Sequence, residues 1–188
     1  PATGAAAFPV TSEKLGDGLY RLTTGNGSYD SVIVEFRDYI MMLEAGQGTA
    51  QNPDGRALAY IAEAKKLIPN KPIRYSILTH HHFDHSSGLP AVVAEGITIV
   101  THANNKAFLT KALTAPRTLA PDSMSKSGKK PLIETVQEKR VMTDGSRTIE
   151  IYHVQGLPHA DGMLVVYLPK ERILGYADMF NAPPAMAV

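Results

Sequence analysis

Short apolar runs broken by turn residues open the chain. Leu15 to Leu22 holds a Gly-Asp-Gly turn and a brief alternating segment. Ser31 to Phe36 is β-branched and follows a Gly/Asn/Ser cluster at Gly25 to Ser28, and Arg37-Asp38 leads tightly into Tyr39 to Glu44. This pattern predicts a meander of antiparallel strands. The period then changes. Asn52-Pro53 reads as a helix cap followed by Pro at the first helical position. Ala57, Ile61, Ala64 and Ile68 share one helical face, and Pro69-Asn70 ends the run. Pro72 to Thr79 reads as a strand, Gly88 to Glu95 as containing a helix, Ile97 to Val100 as a strand and Asn104 to Leu113 as a helix. Alternating strands and helices predict layered sheets and helices.

Residues 114–131, framed by Pro116, Pro121 and Pro131, read as a long polar loop with three lysines, most simply a solvated basic segment. Strands then return at Leu132 to Val136, in a hairpin over Val141-Met142 and Thr148 to Val154 turned by Asp144-Gly145, and at Met163 to Leu168 and Arg172 to Tyr176. Residues 1–12 read as an extended arm. The 188 residues suit one domain, 1–188, large enough for a substantial core.

Composition narrows the function. Nineteen Lys+Arg against eighteen Asp+Glu leave a net charge of +1, so no nucleic acid is expected as the main partner. No apolar run approaches the ~20 residues of a membrane span, so no membrane partner is expected either. Cysteine is absent, which excludes disulfides, a Cys nucleophile and thiolate metal sites. The chain opens on Pro1 and not Met, which leaves an exported or periplasmic location and a cytoplasmic one both open.

Four of the seven histidines fall within the six residues His80-His81-His82-Phe83-Asp84-His85. A hydrophobic core has no use for such a cluster, because each imidazole needs its nitrogens satisfied. A metal site explains it economically. In the extended backbone after Thr79, residues two apart face the same way, so His80 and His82 can grip one ion while His81 points elsewhere. Asp84 and His85 follow where the chain turns and can hold a second divalent ion, typically ~3.5–4 Å from the first. The remaining candidates read more simply as structure: His102 caps or packs a helix, His153 packs in a sheet, Met41-Met42 and Tyr176 are core, and Asp161 either supports His159 or shapes a turn.

The His-x-His-x-Asp-His pattern, followed by Ser86-Ser87-Gly88, resembles that of the metallo-β-lactamase fold superfamily. Gly156 to Gly162, with the strand through Pro169, is similar to the family's third-histidine motif. Arg172 to Asp178 is similar to its strand ending in a metal-bridging Asp. Leu15 to Tyr20 and Tyr39 to Glu44 fit its opening, so the resemblance spans about residues 14–180.

The resemblance implies an α+β, four-layer αββα sandwich, with the family's last strand and helix missing at the C-terminal edge. It implies His80, His82 and His159 on one metal, Asp84 and His85 on a second, and Asp178 bridging both. Zinc is the implied ion, in one or two copies, with iron as the alternative. The implied chemistry is hydrolysis of an ester, thioester, lactone or amide, lactams included, in a small-molecule substrate by a metal-activated hydroxide, with Asp84 orienting the water and carrying a proton.

Two departures qualify this. No histidine follows His159, whereas dinuclear members usually carry one more on the second metal, so that site is expected to be weak or empty. Asp178 stands where many zinc β-lactamases have Cys, which points toward the lactonase, glyoxalase-II-like, phosphodiesterase and nuclease branches. Two rival readings stand beside hydrolysis: an iron-dependent thiol or persulfide dioxygenase on the same fold, and an inactive metal-binding relic. An unfinished sandwich edge is also expected to favour a homo-oligomer.

Overall fold

The computed structural model describes residues 8–25, 29–118 and 121–179. Strands β1 (Val10–Gly16), β2 (Leu19–Thr24), β3 (Ser31–Glu35) and β4 (Ile40–Leu43) form the expected antiparallel meander. Helix α1 (Gly55–Leu67) crosses to β5 (Ile73–Ile77), which adds parallel to β4. The short helix α2 (Phe83–Ser86) and α3 (Leu89–Glu95) lead to β6 (Thr98–His102), and α4 (Ala103–Thr114) and α5 (Ser123–Ser127) lead to β7 (Ile133–Val136). Strands β1 to β7 make one seven-stranded sheet in sequence order. A second, antiparallel sheet has the order β11-β10-β9-β8, from β8 (Lys139–Thr143), β9 (Thr148–Val154), β10 (Met163–Leu168) and β11 (Ile173–Gly175).

Two apolar layers hold this together. Alternation along β4 sends Ile40 and Met42 to one face and Met41 and Leu43 to the other, and all four are buried. The first face packs with Tyr60, Ile61, Ala64, Leu89 and Leu109 under the helices. The second meets Ile149, Ile151, Leu164 and Val166 of the smaller sheet. The predicted helical face of Ala57, Ile61, Ala64 and Ile68 is wholly buried against the first layer. The layered arrangement agrees with the sandwich that the resemblance implies. Among the described residues the helices cover the larger sheet only, so three of the four αββα layers are present.

Three local expectations are corrected. The arm expected over 1–12 ends earlier, because Val10 to Ser12 pair with Leu22 to Thr24 as the edge strand β1. The long loop expected over 114–131 contains α5, whose start is capped by Asp122 accepting from Ser125 N at 2.9 Å. The helix expected to be capped by Asn52 begins at Gly55 after Asp54, because Asn52 is held in a backbone bridge with Thr49. Residues 1–7 of the arm, 26–28 of the expected turn and everything after 179 lie outside the described residues.

Candidate metal centre

The carboxyl ends of β4, β5 and β6 converge with the loops before β10 and after β11. Beyond β5, Leu78 N donates to Val100 O and Leu164 N to Thr79 O, which locks the segment before His80 between the two sheets. The chain stays extended through His82 (ψ 151°) and then turns into α2. His80 is fully buried, and the His80 and His82 rings lie 4.6 Å apart. His81 instead turns toward α4, its Nδ1 2.9 Å from Asn105 Oδ1.

Two groups of donors result. His80, His82, His159 and Asp178 converge as one, and Asp84, His85 and Asp178 as the other, sharing Asp178. Asp178 Oδ2 is 3.0 Å from His85 Nε2, 3.3 Å from His159 Nε2 and 3.5 Å from His80 Nε2. His159 Nε2 lies 3.2 Å from His80 Nε2, and Asp84 Oδ2 lies 3.4 Å from His85 Nε2. Ligands ~2.0–2.1 Å from a tetrahedral ion sit about 3.3–3.4 Å from one another. The observed separations match that spacing, and the donors are all nitrogen and oxygen. The residues therefore fit one or two divalent ions of the zinc type.

Electrostatics differ between the two groups. Burial pushes His80 down to about 4, helped by the charge of His85. Burial and the neighbouring His159 also lower His82. Both rings thus favour the neutral form that a metal ligand needs. Burial also opposes charge on His85, but its hydrogen bond to Glu44 and the charges of Glu44, Asp178 and Asp84 outweigh this and raise it to about 9.

Glu44 was not legible as a site residue. It follows β4 with φ +66° and is almost fully buried. Its Oε2 accepts from His85 Nδ1 at 2.9 Å, and its Oε1 accepts from Thr79 N at 2.8 Å. A carboxylate on the far ring nitrogen fixes the tautomer and turns Nε2 toward the centre. The only sequence signal was a carboxylate directly after the wholly apolar Ile40 to Leu43. Asp178 is likewise left-handed, with φ +56°, a costly conformation for a non-glycine residue that is held here at the point where both donor groups meet.

His102 stands apart. Its Nδ1 accepts from Asn104 N at 3.2 Å as the cap of α4, and its ring stacks on His153 at 3.9 Å. Asp161 accepts from Asn104 Nδ2 at 2.9 Å, which ties the His159 loop to α4. Tyr176 is half-buried, and Met41 and Met42 are core. No described helix is long and apolar enough to cross a membrane.

Comparison with known proteins agrees with this fold. Among solved structures, a metallo-beta-lactamase from Pontibacter korlensis superposes with a TM-score of 0.64 at 20% identity, covering 88% of this chain and 70% of that one. The mono-zinc form of the metallo-beta-lactamase FIM-1 from Pseudomonas aeruginosa gives 0.59 at 22% identity, covering 88% of this chain and 67% of that one. A metallo-beta-lactamase from Hirschia baltica gives 0.58 at 23% identity, covering 88% and 69%. At these identities the likeness is one of fold. No curated protein matches the chain in sequence. The family model of the metallo-beta-lactamase superfamily matches residues 24–185, and the chain belongs to that superfamily.

Proposed function

We propose that this chain is a zinc-dependent hydrolase of small molecules that cleaves an ester, thioester, lactone or amide bond. One observation carries the reading: a single carboxylate oxygen, Asp178 Oδ2, lies within 3.5 Å of three imidazole nitrogens, two from the His80–His85 run and one from His159 far along the chain. Nitrogen and oxygen donors gathered this closely are what a shared cation would organise. His80, His82 and His159 would hold the first ion and Asp84 and His85 the second, with Asp178 available to both. When bound, such ions acidify water and polarise a carbonyl oxygen.

The chain's own residues supply the rest. Asp84, half-buried in the first turn of α2, accepts a hydrogen bond from the attacking water and carries its proton to the leaving group. Glu44 holds the His85 ring in one orientation. A recess of about 290 Å³ beside the histidine segment, lined by Phe83, Leu89, Phe108 and Leu109 with Ser86 and Ser87, supports a substrate with a compact apolar part.

The test is an assay of zinc-loaded chain against a panel of aryl esters, thioesters, lactones and lactams. Hydrolysis that disappears with a chelator and returns with zinc is expected. Turnover that survives full removal of the metal, or a doubly loaded chain inert to the whole panel, overturns the reading.

A further inference from the structure

Asn105 lies outside the metal centre, yet both histidine segments are tied to it. It is fully buried in α4. Its Oδ1 is 2.9 Å from His81 Nδ1, between the ligands His80 and His82. Its Nδ2 donates to Gly162 O at 3.0 Å, three residues beyond His159, and to Thr101 Oγ1 at 3.0 Å.

The direction of every bond in this knot is determined. Gly162 O can only accept, so the Asn105 atom facing it is the amide nitrogen. The Thr101 hydroxyl gives its one proton to Leu78 O at 3.1 Å and therefore accepts from Asn105. Both amide protons of Asn105 are thus committed, and its oxygen faces His81. His81 must then carry its proton on Nδ1 and donate it. Asn105 accepts from one metal-binding segment and donates to the other, and neither end can be reversed.

We propose that Asn105 is a positioning residue that holds the His80–His82 segment and the His159 loop at the separation the first metal requires. The proposal rests on the reading of these histidines as ligands. Outer partners that orient ligands typically govern metal affinity by 10–100-fold. Substituting Asn105→Asp keeps the shape and the acceptor for His81 but sets a carboxylate oxygen against Gly162 O. On the other arm, His81→Asn retains a donor near the Nδ1 position, whereas His81→Leu retains only bulk.

The experiment measures zinc affinity by competition with a chromophoric chelator, and the melting temperature of each metal-stripped chain. Asn105→Asp is expected to weaken the tighter zinc by about 10–100-fold. His81→Leu is expected to weaken it several-fold, and His81→Asn to restore it to within about twofold, a graded rescue that follows the donor. If Asn105→Asp does not fold, the His81 pair carries the test alone. Unchanged affinity in Asn105→Asp and His81→Leu, with only the melting temperature lowered, overturns the proposal and leaves Asn105 a packing residue. A parent chain that binds no zinc, or one whose affinity is indifferent to His82→Ala, is a different failure, that of the ligand assignment.

Discussion

Glu44 and His85, separated by 41 positions in the chain, meet at 2.9 Å between Oε2 and Nδ1. The pair joins the end of β4 to the short helix α2, and it leaves His85 Nε2 3.0 Å from Asp178. One buried carboxylate thereby fixes the orientation of the His85 ring.

Removing that carboxylate should act on the metal and leave the fold largely intact. Glu44→Gln keeps the shape and a hydrogen-bonding oxygen but loses the charge. The expected result is zinc at the Asp84–His85–Asp178 group weakened by about 10–100-fold, with the three-histidine group much less affected. Stepwise zinc titration of the variant checks this.

The metal-stripped chain should be most stable near the unperturbed histidine pKa of ~6.5 and lose stability on both sides. His85 is raised to about 9, so its contribution is complete below pH ~6.5 and is lost as pH climbs through 9. His80 is lowered to about 4, so its contribution is complete above pH ~6.5 and is lost as pH falls toward 4. Melting temperatures in chelator across this range should trace a dome. Replacing His85 with Ala should flatten its alkaline limb.

Metal loading and helix capping should separate cleanly. His82→Ala removes a half-buried member of the three-histidine group at the mouth of α2 and should abolish the tighter zinc and any hydrolysis. His102→Ala removes the cap of α4 and the stack on His153. It should cost about 1 kcal/mol of stability and leave zinc content unchanged. Loss of one equivalent in His102→Ala would mean that a ligand has been misassigned.

Phe83 and Phe108 are 72% and 50% exposed, unusual for aromatic side chains, and they share one apolar recess. Phe83→Ala and Phe108→Ala should raise KM for esters with apolar acyl groups by several-fold while changing kcat little, the pattern of lost ground-state binding. Equal effects on acetyl and longer acyl esters would remove this recess from the substrate path.

What was legible in the chain follows the range of the forces involved. The face of Ala57, Ile61, Ala64 and Ile68, the Asp144-Gly145 hairpin and the meander up to Leu43 are local patterns, and each forms as read. The His80–His85 cluster is local too. Other features depend on partners far along the chain. Val10 becomes a strand because it pairs with Thr24. Asp54 leaves the helix cap to accept from Ser123 N, 69 positions away. Glu44 and Asn105 gain their roles from partners 41 and 57 positions distant, and nothing in their own neighbourhood announces this. That Asp178 belongs beside these histidines is implied by the family resemblance alone, because no spacing rule brings it within 3.5 Å of His80.

The most direct test of the account is the metal content of chain purified without chelator, measured by elemental analysis and followed by zinc titration. The two donor groups sharing Asp178 predict about two zinc per chain at saturation, one tight and one weaker, because the second group brings one histidine against three. A chain that takes up no zinc, or that carries iron in its place, would contradict the account.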